Sequence, residues 1–409
     1  MTDPRVTVTD AGLLAAGSSA FDAEGTYSAG DPPAGIRRVP TGVDGLTTEH
    51  LIVNMGPQHP STHGVLRLII ELDGEEVVTA EASLGYLHRG IEKLAESRRY
   101  DQLGTLMDRG DYVSAIHGEQ AAALAVERLM EIEVPAKGQY LRCLTAELTR
   151  IASHLVWFGT FGLDIGAMGQ FLYAMRDREA LLDILEAITG ARMMFNYVRP
   201  GGVLADLPVG IDEKIIAFCD GFDVYLEEHH AILGGNEIFQ SRVKGIGVIT
   251  KEAALGFGLT GANLRATGIG FDVRRDRPYD AYPDLDFDVP VGTVGDAWDR
   301  YLVRMEEMRQ ALRMIRQLVG GMPEGDHSAK VPKVLRVPAG ETYASVESSR
   351  GEAGVHLFSD GGTTPYRFHY RGPSLFSCQA FEEILPGHLI ADACMLIGSL
   401  DIMLGEVDR

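Results

Sequence analysis

The sequence predicts an α+β protein that is mostly helical. It is expected to have an antiparallel β region near the N-terminus, a central helical bundle, and a C-terminal region of strands and a helix. Three observations predict this class. Two β-rich runs flank Asp73-Gly74, long segments repeat apolar residues every three or four positions, and short strand-like runs return after residue 334. These two periodicities distinguish helices from strands.

The N-terminal β region is predicted from VLRLIIEL and EEVVTAEA, the runs on either side of Asp73-Gly74. An Asp-Gly pair favours the positive φ angles of a tight hairpin turn. Residues 1–47 mix Gly, Ala, Ser, Pro and acids without a period, so we expect a flexible extension that cannot bury enough apolar surface to order itself. The chain is then divided into this extension, a hairpin region (48–95), a helical bundle (96–333) and a C-terminal strand and helix region (334–409).

The bundle is predicted from segments whose apolar residues would lie on one helical face. These segments are 112–132, 139–162, 168–189, 213–232 and 297–319. The Gly-, Pro- and Asp-rich passage RPYDAYPDLDFDVPVGTVGD is expected to be a loop. Beyond it, ETYASVES, GVHLFSD and YRFHYRG are predicted strands, and a single last helix is expected over about 384–405.

Composition excludes several classes of function. The 409 residues include 37 Lys and Arg against 58 Asp and Glu, a net charge of −21, which argues against nucleic acid or anionic lipid as the main ligand. The longest apolar stretch, LIADACMLIGSLDIML, is too short and too charged for a spanning helix. The four cysteines are far apart and form no C-x-x-C pair, which fits a reducing compartment and indicates no self-contained metal site.

Three places in the sequence could support proton chemistry. His59 and His63 lie in the loop GPQHPSTHG, which two prolines stiffen, and imidazoles titrate near neutral pH. Their alternative role is to hydrogen-bond a buried loop. Tyr112 follows the acids of DRGD at a helix start, where a tyrosine is also a common core anchor. Asp164 ends the apolar run LVWFGTFGL, so it would need a partner or a raised pKa, unless it lies in water. No spacing argument joins His63, Tyr112 and Asp164.

A series of motifs resembles one known family over about residues 51–409. The motifs are GPQHPSTHGVLRL, GYLHRGIEK, DRGDYVS, ELTRIASHLVWFGT, TGARMMFNYVRPGGV, LRATGIGFDVR, FDVPVGTVGDAWDRY, ESSRGEAG, SDGGTTPYR and GEVDR. They resemble the D subunit of NADH-quinone oxidoreductase, the quinone-site subunit of respiratory complex I. The resemblance implies a fold like that of the large subunit of NiFe hydrogenases, to which this family is related.

The resemblance also implies a quinone site. In such subunits the second histidine of the GPQHPSTHG loop and the tyrosine of the D-Y-x-S segment bind the quinone headgroup, which corresponds here to His63 and Tyr112. The acid after the S-H-L helix pairs with that histidine and corresponds to Asp164. Further quinone contacts are expected at three more positions of these motifs: His59, Arg89 and Val407.

Cofactors, partners and location follow from the same resemblance. The chain would bind menaquinone or ubiquinone, ligate no metal, and receive electrons from an iron–sulfur cluster in the adjacent B subunit. It would contact the B, C and I subunits and the membrane-embedded H subunit. We expect it to be peripheral, at the cytoplasmic face of a bacterial plasma membrane, and to take part in proton translocation.

Two alternatives to a quinone site remain at this point. R-G-x-E, here Arg89 to Glu92, is shared with the hydrogenase large subunit, but a NiFe centre needs two C-x-x-C pairs. Neither MDRGDYVSAI nor SLDIMLGEVDR contains a cysteine, so hydrogenase activity is disfavoured. A purely structural scaffold is the other alternative, and the presence of His63, Tyr112 and Asp164 weighs against it.

Overall fold

The computed structural model describes residues 35–40, 47–59 and 64–409. An antiparallel sheet comes first in the chain, a series of helices follows, and a second antiparallel sheet precedes several short helices at the C-terminus. The predicted α+β class with a mostly helical centre is confirmed.

The first sheet contains strands that pair antiparallel in chain order: β1 (Ile36–Pro40), β2 (Thr47–Met55), β3 (Arg67–Asp73) and β4 (Glu76–Ser83). The predicted hairpin is confirmed, with Asp73 paired to Glu76 and Gly74 at a φ of 63°. Alternate β3 residues are buried because successive side chains of a strand point to opposite faces. These buried residues are Leu68, Ile70 and Leu72.

Strand β1 lies inside the segment 1–47 that was expected to be a flexible extension. It pairs with β2 over its whole length, from Ile36 opposite Leu51 to Pro40 opposite Thr47. The rest of the expected extension, apart from Gly35 and Thr47, lies outside the described residues. The other domain boundaries stay predictions.

The helices that follow form the bundle. The first are α1 (Ile91–Glu96), α2 (Leu103–Met107), α3 (Ala115–Met130), α4 (Ala136–Leu163) and α5 (Met168–Thr189). After the short strands β5 (Val198–Arg199) and β6 (Gly202–Val203) come α6 (Ile211–His229), α7 (Glu237–Val243), α8 (Lys251–Phe257), α9 (Gly261–Arg265), α10 (Val273–Asp276) and α11 (Ala297–Gly320). The five long predicted helices are therefore present, with ends that differ by a few residues.

Helix α4 is central to the bundle. Most of its side chains are buried, and it packs against α3, α5 and α11. Its last turns present a series of aromatic rings, with Trp157 stacked on Phe161 at a centroid distance of 5.5 Å. Burying rings of this size contributes strongly to a core. The end of α4 is consequently held in place by the main hydrophobic core.

The C-terminal region begins with the three predicted strands, β7 (Gly340–Ser348), β8 (Gly351–Ser359) and β9 (Arg367–Arg371). They form one sheet in that order, and each pair is antiparallel. The prediction of a single last helix over about 384–405 was wrong. Four short helices follow β9 instead: α12 (Pro373–Gln379), α13 (Phe381–Ile384), α14 (Ile390–Leu400) and α15 (Leu404–Asp408).

Two local features divide this region. Pro386 has no amide hydrogen to continue a helix, and Gly387 adopts a φ of 82°. Asp401 adopts a left-handed φ of 51° directly after α14. The chain therefore turns twice where the apolar pattern alone suggested one helix.

The C-terminal helices pack beneath the N-terminal sheet. A second hydrophobic core joins Leu68 and Ile70 of β3 to Leu396 of α14 and Leu404 of α15. The end of the chain thus lies between this core and the main core around α4. None of the helices in the described part of the chain is long and apolar enough to cross a membrane.

The packing of α2 on α3 gives a testable consequence. An ideal Cβ on Gly118 would lie 2.9 Å from the carbonyl oxygen of Met107, so Gly118→Ala should lower the free energy of unfolding by about 1–3 kcal/mol. Gly221→Ala is the matched control, since no atom lies within 4 Å of its built Cβ and alanine favours a helix by up to about 1 kcal/mol. Chemical denaturation followed by circular dichroism measures both. If both variants changed the free energy of unfolding equally, the close contact between Gly118 and Met107 would be contradicted.

Candidate functional site

Predicted site positions from distant parts of the chain converge on residues 398–409, called here the C-terminal strip. The strip contains the end of α14, the turn at Asp401 and all of α15. Asp164, Gly64 and Tyr112 each lie against one of its residues. The strip is therefore the common element around which the candidate site is arranged.

Tyr112 lies in the turn between α2 and α3 and is half-buried. Its ring contacts the strip at Gly405, where a built Cβ would lie 3.2 Å from Tyr112 Cε1 and 2.5 Å from the carbonyl oxygen of Gly110. Burial raises the pKa of the Tyr112 phenol, and the positive charge of Arg350 partly opposes that shift. The phenol consequently stays protonated at neutral pH and can act as a hydrogen-bond donor.

Asp164 is the residue that ends α4. Its carboxylate lies beside Gly398, because an ideal Cβ at Gly398 would lie 2.5 Å from Asp164 Oδ2. Trp157 also donates a hydrogen bond from Nε1 to the carbonyl oxygen of Gly398 at 2.9 Å. A Cβ at Gly398 would also lie 2.8 Å from Cδ2 of Phe161, so only a glycine allows Asp164 and Phe161 to approach α14 this closely. The carboxylate is thereby brought to the strip.

The histidine loop is described only at its two ends. His59 is exposed and forms an isolated antiparallel bridge with Gly64. A Cβ built on Gly64 would lie 3.1 Å from Cδ1 of Leu404, so the loop returns to the strip. His63 lies outside the described residues, so its pairing with Asp164 and its binding of a quinone together with Tyr112 stay predictions.

Arg89 fastens the strip to the turn before Tyr112. Its Nη2 donates to the carbonyl oxygen of Arg109 at 2.6 Å, and its backbone amide donates to the carbonyl oxygen of Arg409 at 3.2 Å. Val407 is only 2% exposed and belongs to the second hydrophobic core. Of these two predicted quinone contacts, Arg89 is exposed while Val407 faces the core.

Sequence reasoning assigned no role to Arg350, which lies in the turn between β7 and β8. Its Nη1 donates to Asp111 Oδ2 at 2.7 Å, and its Nη2 donates to Asp401 Oδ1 at 3.1 Å. All three side chains are buried. A buried guanidinium needs such partners because an unpaired charge is costly in the interior. Arg350 therefore links the turn that carries Tyr112 to the C-terminal strip.

Glu406 is a second residue to which sequence reasoning assigned no role. It is fully buried in α15, and it accepts hydrogen bonds from the amide of Ser374 at 2.9 Å and from the hydroxyl of Tyr370 at 3.3 Å. Burial and then the charge of Asp111 raise the pKa of Glu406 to about 7. Burial also raises the pKa of Asp111, which Arg350 partly offsets. A proton held near neutral pH is consistent with these surroundings.

Both residues lie in motifs of the sequence, ESSRGEAG and GEVDR, yet their partners are far away. Arg350 and Asp111 are 239 positions apart. No local signal identifies them, because the burial of Arg350 and Glu406 is visible only in the folded structure. Within the described ranges, no group of three or more His, Cys, Asp or Glu residues is arranged to hold a metal ion.

Comparisons with known proteins identify the family of the chain. The family model for the 49 kDa subunit of respiratory-chain NADH dehydrogenase matches residues 164–335 and 327–409. The chain is 49% identical over 364 residues to the D subunit of NADH-quinone oxidoreductase from Bacillus mycoides (strain KBAB4) and from Bacillus anthracis, covering 89% of this chain and 100% of each relative. The corresponding protein of Bacillus thuringiensis (strain Al Hakam) is 48% identical with the same coverage.

These matches first define a class: the chain is a component of a multisubunit oxidoreductase. More particularly, it belongs to the family of the 49 kDa subunit of respiratory-chain NADH dehydrogenase.

The Arg350 pairing gives a second prediction. Arg350→Met should lower the free energy of unfolding by about 3–5 kcal/mol, because Asp111 and Asp401 would stay buried without their cation. Arg316→Met is the matched control, since Arg316 also bridges two acids, Asp220 and Asp223, but on the surface. The control should cost about 0–1 kcal/mol. Denaturant titrations measure both variants. If they lost the same free energy of unfolding, burial of the Arg350 ion pairs would not increase the cost of breaking them.

Proposed function

We propose that this chain forms the quinone-reducing site of a proton-translocating NADH-quinone oxidoreductase, together with the adjacent B subunit. The observation that carries the proposal is the convergence of Tyr112, Asp164 and the end of the histidine loop on one strip. The curated relatives are named as D subunits of NADH-quinone oxidoreductase, which supports quinone as the substrate.

The chemistry of quinone reduction matches these side chains. Each carbonyl oxygen of a quinone gains a proton as two electrons arrive, so the site needs two groups that can donate protons to developing negative charge. Tyr112 supplies a phenol O–H, and His63 supplies an imidazolium N–H. Asp164 orients the His63 ring and stabilises its charged form. His59, Arg89 and Val407 complete the surroundings of the headgroup.

The electrons enter from outside this chain in the proposal. An iron–sulfur cluster of the B subunit, next to the shared cavity, supplies them, and menaquinone or ubiquinone receives them. The chain is expected to contact the B, C and I subunits and the membrane-embedded H subunit. Through them it is held at the cytoplasmic face of a bacterial plasma membrane, as a peripheral subunit. A NiFe centre is disfavoured, because neither of the two regions that would supply its thiolates contains a cysteine.

Tyr112→Phe tests the first donor. Loss of the phenol proton should lower quinone reductase kcat in the assembled complex by about 10²-fold, the low end for a positioned proton donor. Electron transfer from NADH to an artificial acceptor at the flavin should not change. Tyr366→Phe is the control, because Tyr366 is 71% exposed. Unchanged quinone reductase turnover in Tyr112→Phe would remove Tyr112 from the site.

A double-mutant cycle tests the pairing of His63 with Asp164. His63→Ala and Asp164→Asn should each lower quinone reductase turnover, and the double variant should be scarcely worse than the poorer single variant, since both remove one charged pair. Turnover is normalised to flavin-site activity of the same membranes. Losses that multiply in the double variant would show that the two residues act independently.

A further inference from the structure

We propose that Asp111, Asp401 and Glu406 together store one exchangeable proton and return it to Tyr112 after Tyr112 has protonated the quinone. These three residues with Arg350 are called here the acid cluster. The inference rests on the proposed function and extends it, because it names the source from which the phenol is restored between turnovers.

The acid cluster is almost completely buried in this chain. Asp111 is 3% exposed, Asp401 is 5% exposed and Glu406 is not exposed. Arg350 bonds the first two carboxylates, while Glu406 accepts from Ser374 and Tyr370. The guanidinium of Arg350 therefore bonds two of the three carboxyl groups, and its positive charge also acts on the third, Glu406.

The charges of the acid cluster do not balance if every carboxyl is ionised. The second cation is Arg304, whose Nε lies 3.9 Å from Asp401 Oδ2. Within the described part of the chain, neither of these two atoms has a hydrogen-bond partner. In the described part of the chain, the three carboxylates would therefore face two arginines, Arg350 and Arg304. The imidazole of His154 also acts on Asp401, but burial lowers the pKa of His154 and so disfavours its positive charge. Because an uncompensated charge is expensive in the interior, one carboxyl group retains a proton.

The other groups that face Glu406 do not change this count. Tyr370 from β9 donates its hydroxyl, and Cys378 from α12 is a buried thiol whose pKa burial raises well above its usual range. Ser374 adds a backbone amide. On the Tyr112 side, the exposed cations are Arg89 and Arg109. The raised pKa values of Asp111 and Glu406 agree with a stored proton that is lost as the pH rises through about 7.

The acid cluster lies next to Tyr112 in two places. Asp111 precedes Tyr112 in the chain, and Gly405, which precedes Glu406, contacts the Tyr112 ring. Arg350 acts electrostatically on both the Tyr112 phenol and the Asp111 carboxyl. The cluster does not touch the quinone in this scheme, so its members are positioning and proton-storing groups.

Each proton and electron in the scheme has a source and a destination. A reduced iron–sulfur cluster of the partner chain would supply two electrons in succession to the quinone. One quinone oxygen takes the proton of Tyr112, whose O–H bond breaks, and the other oxygen takes the N–H proton of the His63 imidazolium. The resulting phenolate takes the proton from a carboxyl O–H of the acid cluster, which becomes a carboxylate beside Arg350. A hydronium ion from the solvent then returns a proton to the carboxylate and leaves as water, by way of the slightly exposed Asp111 and Asp401.

Glu406→Gln in the assembled complex tests the store, with exposed Glu383→Gln as the matched control. Wild-type and control quinone reductase kcat should fall as the pH rises through about 7, because the cluster is then empty. In Glu406→Gln, kcat at pH 6 should be at least about 10-fold lower, with KM for a short-chain quinone unchanged and without that pH-dependent fall. Glu406→Asp should restore the pH dependence. A wild-type profile in Glu406→Gln would overturn the proposal.

Infrared spectroscopy of the resting complex separates this proposal from the proposed function. The wild-type complex should show a protonated-carboxyl band that titrates near pH 7 and is absent in Glu406→Gln, with no turnover required. Absence of the band from the wild type would overturn the store even where Tyr112→Phe abolishes quinone reduction. If instead Tyr112→Phe had no effect, the proposed function would fail while the band could still be observed.

Discussion

The ion pairs of Arg350 with Asp111 and Asp401 are the interaction on which the candidate site depends. They join the turn that carries Tyr112, the β7–β8 turn and the C-terminal strip. Along the chain, Arg350 lies 239 positions from Asp111 and 51 positions from Asp401. Buried ion pairs contribute little net stability, because desolvation offsets their attraction, but breaking one is costly. The pairs therefore act mainly by specifying which distant segments meet.

The rest of the interior follows the same principle. Arg265 forms ion pairs with Glu307 and Glu347, and also with Asp272, the N-cap residue of α10. These pairs tie α9, α10 and α11 to β7 within a bundle whose helices already pack through apolar faces. Hydrophobic contact makes the bundle stable, while the charges select one arrangement of its parts. The candidate site lies where this charged interior reaches the edge of the second core.

The fold could be predicted in those places where local physics decides it. The hairpin at Asp73-Gly74 and the long helices formed as expected, because turn chemistry and apolar period act within a few residues. The prediction of one last helix was wrong because it followed the apolar pattern and did not allow for the breaks at Pro386-Gly387 and Asp401. Site residues such as Tyr112 and Asp164 could be named only through family resemblance, since no spacing relates them.

Residue patterns alone determined the class of fold, the hairpin and the long helices, and the absence of paired cysteines in the regions where a metal centre would need them. Tertiary packing was needed to show that Arg350 and Glu406 belong beside Tyr112. The physical reason is that the packing of whole elements decides which charged side chains meet. It places Arg350 Nη1 2.7 Å from Asp111 Oδ2, although the two residues are 239 positions apart. Such a contact leaves no mark in the local sequence. A large acidic chain thus contains an interior where buried carboxylates have specific electrostatic roles.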